Sequence, residues 1–262
     1  MKKNKKILQK RMLKFFFISL VVLFASCASP KKVTYFQGVS ELEGFEEIIN
    51  FEPKLQIGDI LSIHVSAIEG ETALAFNLYE SPVIEGASGM AKPINYLVDA
   101  EGFINFPVLG SLQVAGLTTM QLRTKLSDIL KASYITEPLV NIRLINFKVT
   151  VLGEVNKPGS YTSTNERISI LDAIGLAGDL SIYGKRNDIT LIREQNKKRQ
   201  YIRLDLTDKE LFKSPYFYMS QNDVLYIAPN KAKSNSSAVS SNAGVILSSI
   251  SILITILAIL IK

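Results

Sequence analysis

The chain has 262 residues, 47% of them hydrophobic, a formal charge of +6 and a sequence pI near 9.2. Such a balance would suggest nucleic acid, but residues 1–26 carry seven cations (Lys2, Lys3, Lys5, Lys6, Lys10, Arg11, Lys14) and no acid, which leaves 23 of the 30 basic residues against 24 acids in the remainder; no nucleic-acid partner is expected. With one cysteine and one histidine a disulfide framework is impossible and a zinc or Cys-His site is not credible, so no metal or cofactor is expected.

The basic start runs into residues 15–24, FFFISLVVLF, an apolar stretch of about ten residues. That is short for a bilayer span and suits the h-region of a secretory signal. It ends in Phe24-Ala25-Ser26-Cys27. Small residues before a lone cysteine resemble a bacterial lipobox, in which Cys27 is acylated and becomes the mature N-terminus; the departure is Phe24, where Leu is commonest. An ordinary signal peptide with an incidental cysteine, or an uncleaved anchor, is the plainer alternative. Read as a lipoprotein, the chain has its signal peptide at 1–26 and a lipid-anchored linker at 27–49, with membrane lipid as a partner. Several acyl chains hold stably where one holds weakly. Neither an aspartate nor an acidic cluster follows Cys27, which favours the outer membrane with the body in the periplasm.

Residues 60–65 alternate Leu61, Ile63 and Val65 with Ile60, Ser62 and His64, as a strand with one buried face does; His64 is then an ordinary strand position. The Gly- and Pro-rich stretch 68–94 is expected to be a long, mobile loop. Residues 96–98 and 103–106 read as a hairpin around Asp99-Ala100-Glu101-Gly102, because Asp suits the first and Gly the fourth place of a type I turn. Pro107 stops the second strand, and Thr118 with Gln121 predicts a capping box opening a helix to about residue 132. After Glu137-Pro138, the run 139–147 (LVNIRLINF) places Val140, Ile142, Leu144 and Asn146 on one face of a strand.

A second unit repeats the order. Residues 148–155 are a strand, Asn156-Lys157-Pro158-Gly159 suits a type II turn, and 160–162 return. Ser169 and Asp172 open a helix that Gly178 closes. A hairpin over 188–206 around the charged loop 194–200 follows, and 224–227 end the unit. Residues 231–242 read as a polar linker. The terminal stretch 243–261 (AGVILSSISILITILAILI) is 19 residues without a charge, close to a bilayer thickness as a helix and expected to span one. Gly244, Ser248, Ser251, Thr255, Ala258 and Lys262 alternate steps of four and three, within an arc of roughly 80°. Such a stripe either packs a membrane anchor against another helix or lines a lumen.

In order, LQIGDILSIHV (55–65), YLVDAEGFINFPVLGSLQVAGLT (96–118), EPLVNIRLINFKVTVLGEVNKPGSY (137–161), ISILDAIGLAGDL (168–180) and NDVLYIAP (222–229) resemble the Wza-type polysaccharide export lipoproteins of Gram-negative bacteria. The resemblance implies an α+β chain: a small α/β polysaccharide-export domain at 50–146, a β-grasp-like SLBB domain at 147–230, and a C-terminal transmembrane helix. It implies a homo-oligomeric ring through which a capsular or exopolysaccharide chain passes. An inner-membrane co-polymerase or tyrosine autokinase is the implied partner, and no bond is made or broken. It favours the lumen-lining reading of Gly244, Ser248, Ser251, Thr255 and Ala258. Two rivals remain. A glycan hydrolase would need paired carboxylates, for which Asp59, Asp99 and Glu101 are available; a lipid-anchored periplasmic scaffold would bind polysaccharide without a pore.

Overall fold

The computed structural model describes residues 34–37, 51–80, 92–195, 198–238 and 243–260. Strand β1 (Ile60–Ser66) buries Leu61, Ile63 and Val65 and turns His64 outward, since successive side chains of a strand point to opposite faces. Of the expected long loop 68–94, residues 81–91 lie outside the described residues; the rest holds α1 (Gly70–Ala73), a 3-10 turn (Leu74–Phe76) and a ribbon of β2 (Tyr79–Glu80) with β3 (Lys92–Pro93). Phe76 and Ala73 are buried there. The Asn77 side chain accepts the Val65 N–H at 2.9 Å and donates to the Val65 carbonyl at 2.7 Å, imitating the neighbouring strand that β1 lacks at that end.

The expected hairpin is corrected. Its turn exists: Gly102 N–H donates to the Asp99 carbonyl, and the Asp99 carboxylate accepts the Glu101 and Phe103 N–H groups. Its arms, however, part company. The first, β4 (Tyr96–Leu97), pairs with β1, while β5 (Phe103–Phe106) pairs with β6 (Gly110–Gln113) around Pro107, Val108 and Leu109. Tyr96, Ile104 and Phe106 are all buried, and the Tyr96 and Phe106 rings still meet, their centroids 5.4 Å apart, so the arms share a core while pairing in different ladders. Helix α2 (Thr119–Ser133) opens with the capping box of Thr118 and Gln121 and buries Leu122, Leu126 and Leu130, one stripe at four-residue steps. It packs against β7 (Leu139–Leu144), giving a three-stranded antiparallel sheet in the order β4–β1–β7.

The second half is built on one five-stranded sheet. Its strands are β8 (Lys148–Gly153), β9 (Gly159–Thr162), β11 (Gly184–Gln195), β12 (Lys198–Leu204) and β14 (Val224–Pro229), in the order β12–β11–β14–β8–β9. Only β14 and β8 run parallel within it. Gly153 has φ +93°, and a Cβ there would sit 2.0 Å from the Ile227 carbonyl oxygen, so that pairing requires glycine. Between β9 and β11 come β10 (Ile168–Ser169), which pairs with β13 (Tyr218–Met219), and α3 (Ile170–Leu176), capped by Ser169 and Asp172. The charged turn is tighter than expected, because Glu194 and Gln195 are still in register with Arg199 and Lys198. Most of the expected polar linker 231–242 is helical: α4 (Lys231–Ala238) begins where Asn230 accepts the Lys233 N–H through its side chain. Helix α5 (Ala243–Leu260) follows.

Candidate functional site

Of the three carboxylates that a glycan hydrolase could use, Asp59 and Asp99 are committed to structure, while Glu101 is exposed on the turn. Asp99 closes its turn with two backbone N–H bonds. Asp59 is fully buried, its Oδ2 accepting the Gln56 N–H at 2.8 Å, and it cannot meet a polymer from the surface. Burial lifts Asp59 to about 6 against the opposing hydrogen bonds of the Gln56 N–H and the Gln221 amide, and the charge of Glu166 adds the smallest effect, also upward. Among the described residues no cluster of His, Cys, Asp or Glu could hold a metal ion.

Polar side chains instead brace the two halves of the body. Asn146, which the sequence places on the inward face of a strand, accepts the Ile60 N–H (2.8 Å) and donates to the Gly58 carbonyl (3.0 Å). Gln221 donates to the Asn146 carbonyl (2.9 Å) and accepts the Lys148 N–H (2.7 Å). Glu166 accepts the Leu144 N–H and the Thr119 hydroxyl, both at 3.0 Å, tying the second half to β7 and to the start of α2. Phe51 stacks on Tyr218 with ring centroids 5.4 Å apart. Beneath, Arg193 and Asp223 form a buried pair at 2.6 Å, and Asp223 also accepts the Ser220 N–H. Arg143, Thr164, Asn165 and Arg167 line an open groove of about 650 Å³ along this seam.

A second feature was hidden in the expected linker. Phe36 and Gln37 donate backbone N–H groups to the carbonyls of Leu206 (3.0 Å) and Thr207 (2.8 Å). Phe36 packs on Phe212 at 5.0 Å, and Tyr35 lies under the Arg186 guanidinium while its hydroxyl donates to Asp179 at 2.5 Å. Burial, and then the Asp179 bond, push the Tyr35 phenol well above its ordinary range. Residues 35–37 are therefore docked on the second half. A pair of aromatics in a polar segment was the available signal.

Cys27 lies outside the described residues. On α5, Gly244, Ser248, Ser251 and Thr255 are exposed, as are Ile250, Ile252, Leu253, Ile254 and Ile256 on other sides; Ala258 lies within the helix. Ser248 and Ser249 donate to the Val245 carbonyl and Thr255 to the Ser251 carbonyl, which satisfies hydroxyls within a helix wherever it lies. The expectation of a transmembrane helix over 243–261 is not supported: among the described residues no helix is long and apolar enough to cross a membrane.

This arrangement offers bracing and surfaces where an active site would offer reactive groups, and comparison with known proteins gives it a class. Residues 50–145 match the model of the polysaccharide biosynthesis/export protein family, and residues 147–227 match that of the SLBB domain. The two matches follow one another across about two thirds of the chain. Among individual proteins, it is similar to the EPS I polysaccharide export outer membrane protein EpsA of Ralstonia solanacearum, with 26% identity over 157 residues, 57% of this chain and 40% of the relative. The protein of the same description from Ralstonia nicotianae is 28% identical over 136 residues, 49% of this chain and 35% of the relative. The chain thus spans well under half the length of the curated relatives it matches.

Proposed function

We propose that this chain is a subunit of an outer-membrane polysaccharide exporter, with its body in the periplasm, and that it forms a closed homo-oligomeric ring through which a capsular or exopolysaccharide chain moves. The observation that carries this reading is the uninterrupted succession of export and SLBB matches, shared in part with relatives described as export outer membrane proteins. The subunit makes and breaks no bond; it supplies a hydrated wall, since a polymer held tightly would not move on. Head-to-tail contacts close such a ring, and an inner-membrane co-polymerase or tyrosine autokinase meets its periplasmic end. Acylated Cys27 anchors each subunit. Extended chain reaches at most about 3.6 Å per residue, so the docked Tyr35 supports placing the second half of the body toward the membrane, the half that α5 also follows. The apolar side chains of α5 need a cover of lipid or neighbouring helices, and Gly244, Ser248, Ser251, Thr255 and Ala258 then face the lumen.

Electron microscopy of gently extracted protein tests the ring: closed particles with a central opening are expected, and monomers under mild extraction would sink it. Ser248→Leu with Ser251→Leu and Thr255→Leu should block export while leaving the protein membrane-bound; unchanged surface polysaccharide would return the stripe to a packing role. Cys27→Ser should abolish acyl labelling. One observation favours the second reading, a lipid-anchored scaffold without a pore: the Ser248 and Thr255 hydroxyls already bond their own helix and do not require lumen water. Monomeric protein that still retains polysaccharide would select it.

A further inference from the structure

The seam between the two halves holds one group that the export reading leaves without a role. Asp59 is fully buried, and while its Oδ2 accepts the Gln56 N–H, its Oδ1 has no hydrogen-bond partner. The neighbours on either side of it in sequence, Gly58 and Ile60, are both held by the Asn146 side chain. The Gln221 side chain, which bonds the Asn146 carbonyl and the Lys148 N–H, also acts on the Asp59 carboxylate as a hydrogen-bond donor and favours its charged form. An ionised carboxylate in such a place costs free energy that a neutral acid does not, and protonation adds a donor at the unpartnered oxygen.

We propose that Asp59 is a proton-linked latch on this seam: protonated, it leaves the Gln221 amide to the Asn146–Gln221 brace, and ionised, it competes for that amide, which loosens the brace and frees the two halves to shift. Among the described residues, the charged group that acts on Asp59 is Glu166, from the segment before β10, and it favours the protonated form. Behind Gln221, Asp223 is neutralised by Arg193, and the Lys148 side chain is exposed on β8. The folded protein holds this proton more tightly than the unfolded chain, about 6 against the ordinary 3.8. The latch's contribution is therefore complete below the ordinary carboxylate value and lost as pH rises through about 6. The inference concerns the subunit itself and stands whether or not a ring forms.

The test follows the full chain in detergent between about pH 5 and about pH 7.5, reading thermal midpoint and hydrogen exchange at the Ile60 and Lys148 amides, whose bonds make the brace. The wild type is expected to lose stability as pH rises and to exchange at both amides roughly tenfold faster after correction for intrinsic rates. Asp59→Asn is expected to abolish both responses. An unchanged pH response in Asp59→Asn, or brace amides that ignore pH in the wild type, would overturn the proposal. Should Asp59→Asn not fold, the wild type decides alone: exchange at the Ile60 and Lys148 amides that does not change between about pH 5 and about pH 7.5 overturns the latch.

Discussion

Each half of the body turns into a helix through one device. Thr118, at φ −80° and ψ 162°, and Ser169, at φ −80° and ψ 163°, each accept the backbone N–H three residues on, while the side chains of Gln121 and Asp172 reach back to the cap N–H. Beyond the cap the halves diverge. Helix α2 runs 15 residues and lays Leu122, Leu126 and Leu130 on a sheet of three short strands. Helix α3 is 7 residues long, too short to persist alone, and rests Ile170, Ala173 and Ile174 on a continuous five-stranded sheet. A cap says where a helix starts; the sheet beneath decides how much helix is needed. In the first half the helix carries the core, and in the second the sheet does.

That contrast can be broken most forcefully at the buried ion pair of the second half. Asp223→Ala leaves Arg193 buried without its partner and should cost about 3–5 kcal/mol, read from chemical denaturation; a loss below about 1 kcal/mol would show the sheet indifferent to the pair. In the first half, Leu126→Ala removes a fully buried side chain and should cost about 2–5 kcal/mol. Amide exchange should then localise the loss to α2 and β7, and spreading into β11 and β14 would show that the halves unfold as one. The caps sharpen the comparison on a smaller scale. Thr118→Ala and Ser169→Ala should each cost about 1 kcal/mol, with the greater share falling on α2 if its helix carries more of the core. Smallest is Val108, a β-branched residue exposed at φ 66° between β5 and β6. Val108→Gly should stabilise by up to about 1 kcal/mol in thermal unfolding, and a loss would mean that the Val108 side chain makes contacts outweighing its strain.

Local signals were legible wherever one segment contained its own reason. The capping boxes, the Asp99 turn, the alternation in β1 and β7 and the outward His64 are settled by spacing within a few residues, and the succession of the two family matches was visible in the order of motifs. Reading failed where the partner lay far along the chain. The arms at 96–98 and 103–106 are adjacent in sequence, yet β1 claimed one and β6 the other, although the Tyr96 and Phe106 rings still pack together. The polarity of 231–238 suggested a linker, and Asn230 turned it into a helix.

What the sequence by itself determined is two capped strand-and-helix units, in the order of the export and SLBB matches. What only the tertiary structure decided is how the units are joined. Asn146, Glu166, Gln221 and the docked Tyr35–Phe36 pair make hydrogen bonds to residues between 22 and 170 positions away. A hydrogen bond across such a separation leaves no periodicity in the chain, only a polar residue where an apolar one was due. Asp59 is the sharpest case, a plausible turn residue in sequence that folding placed, half-partnered, inside the seam.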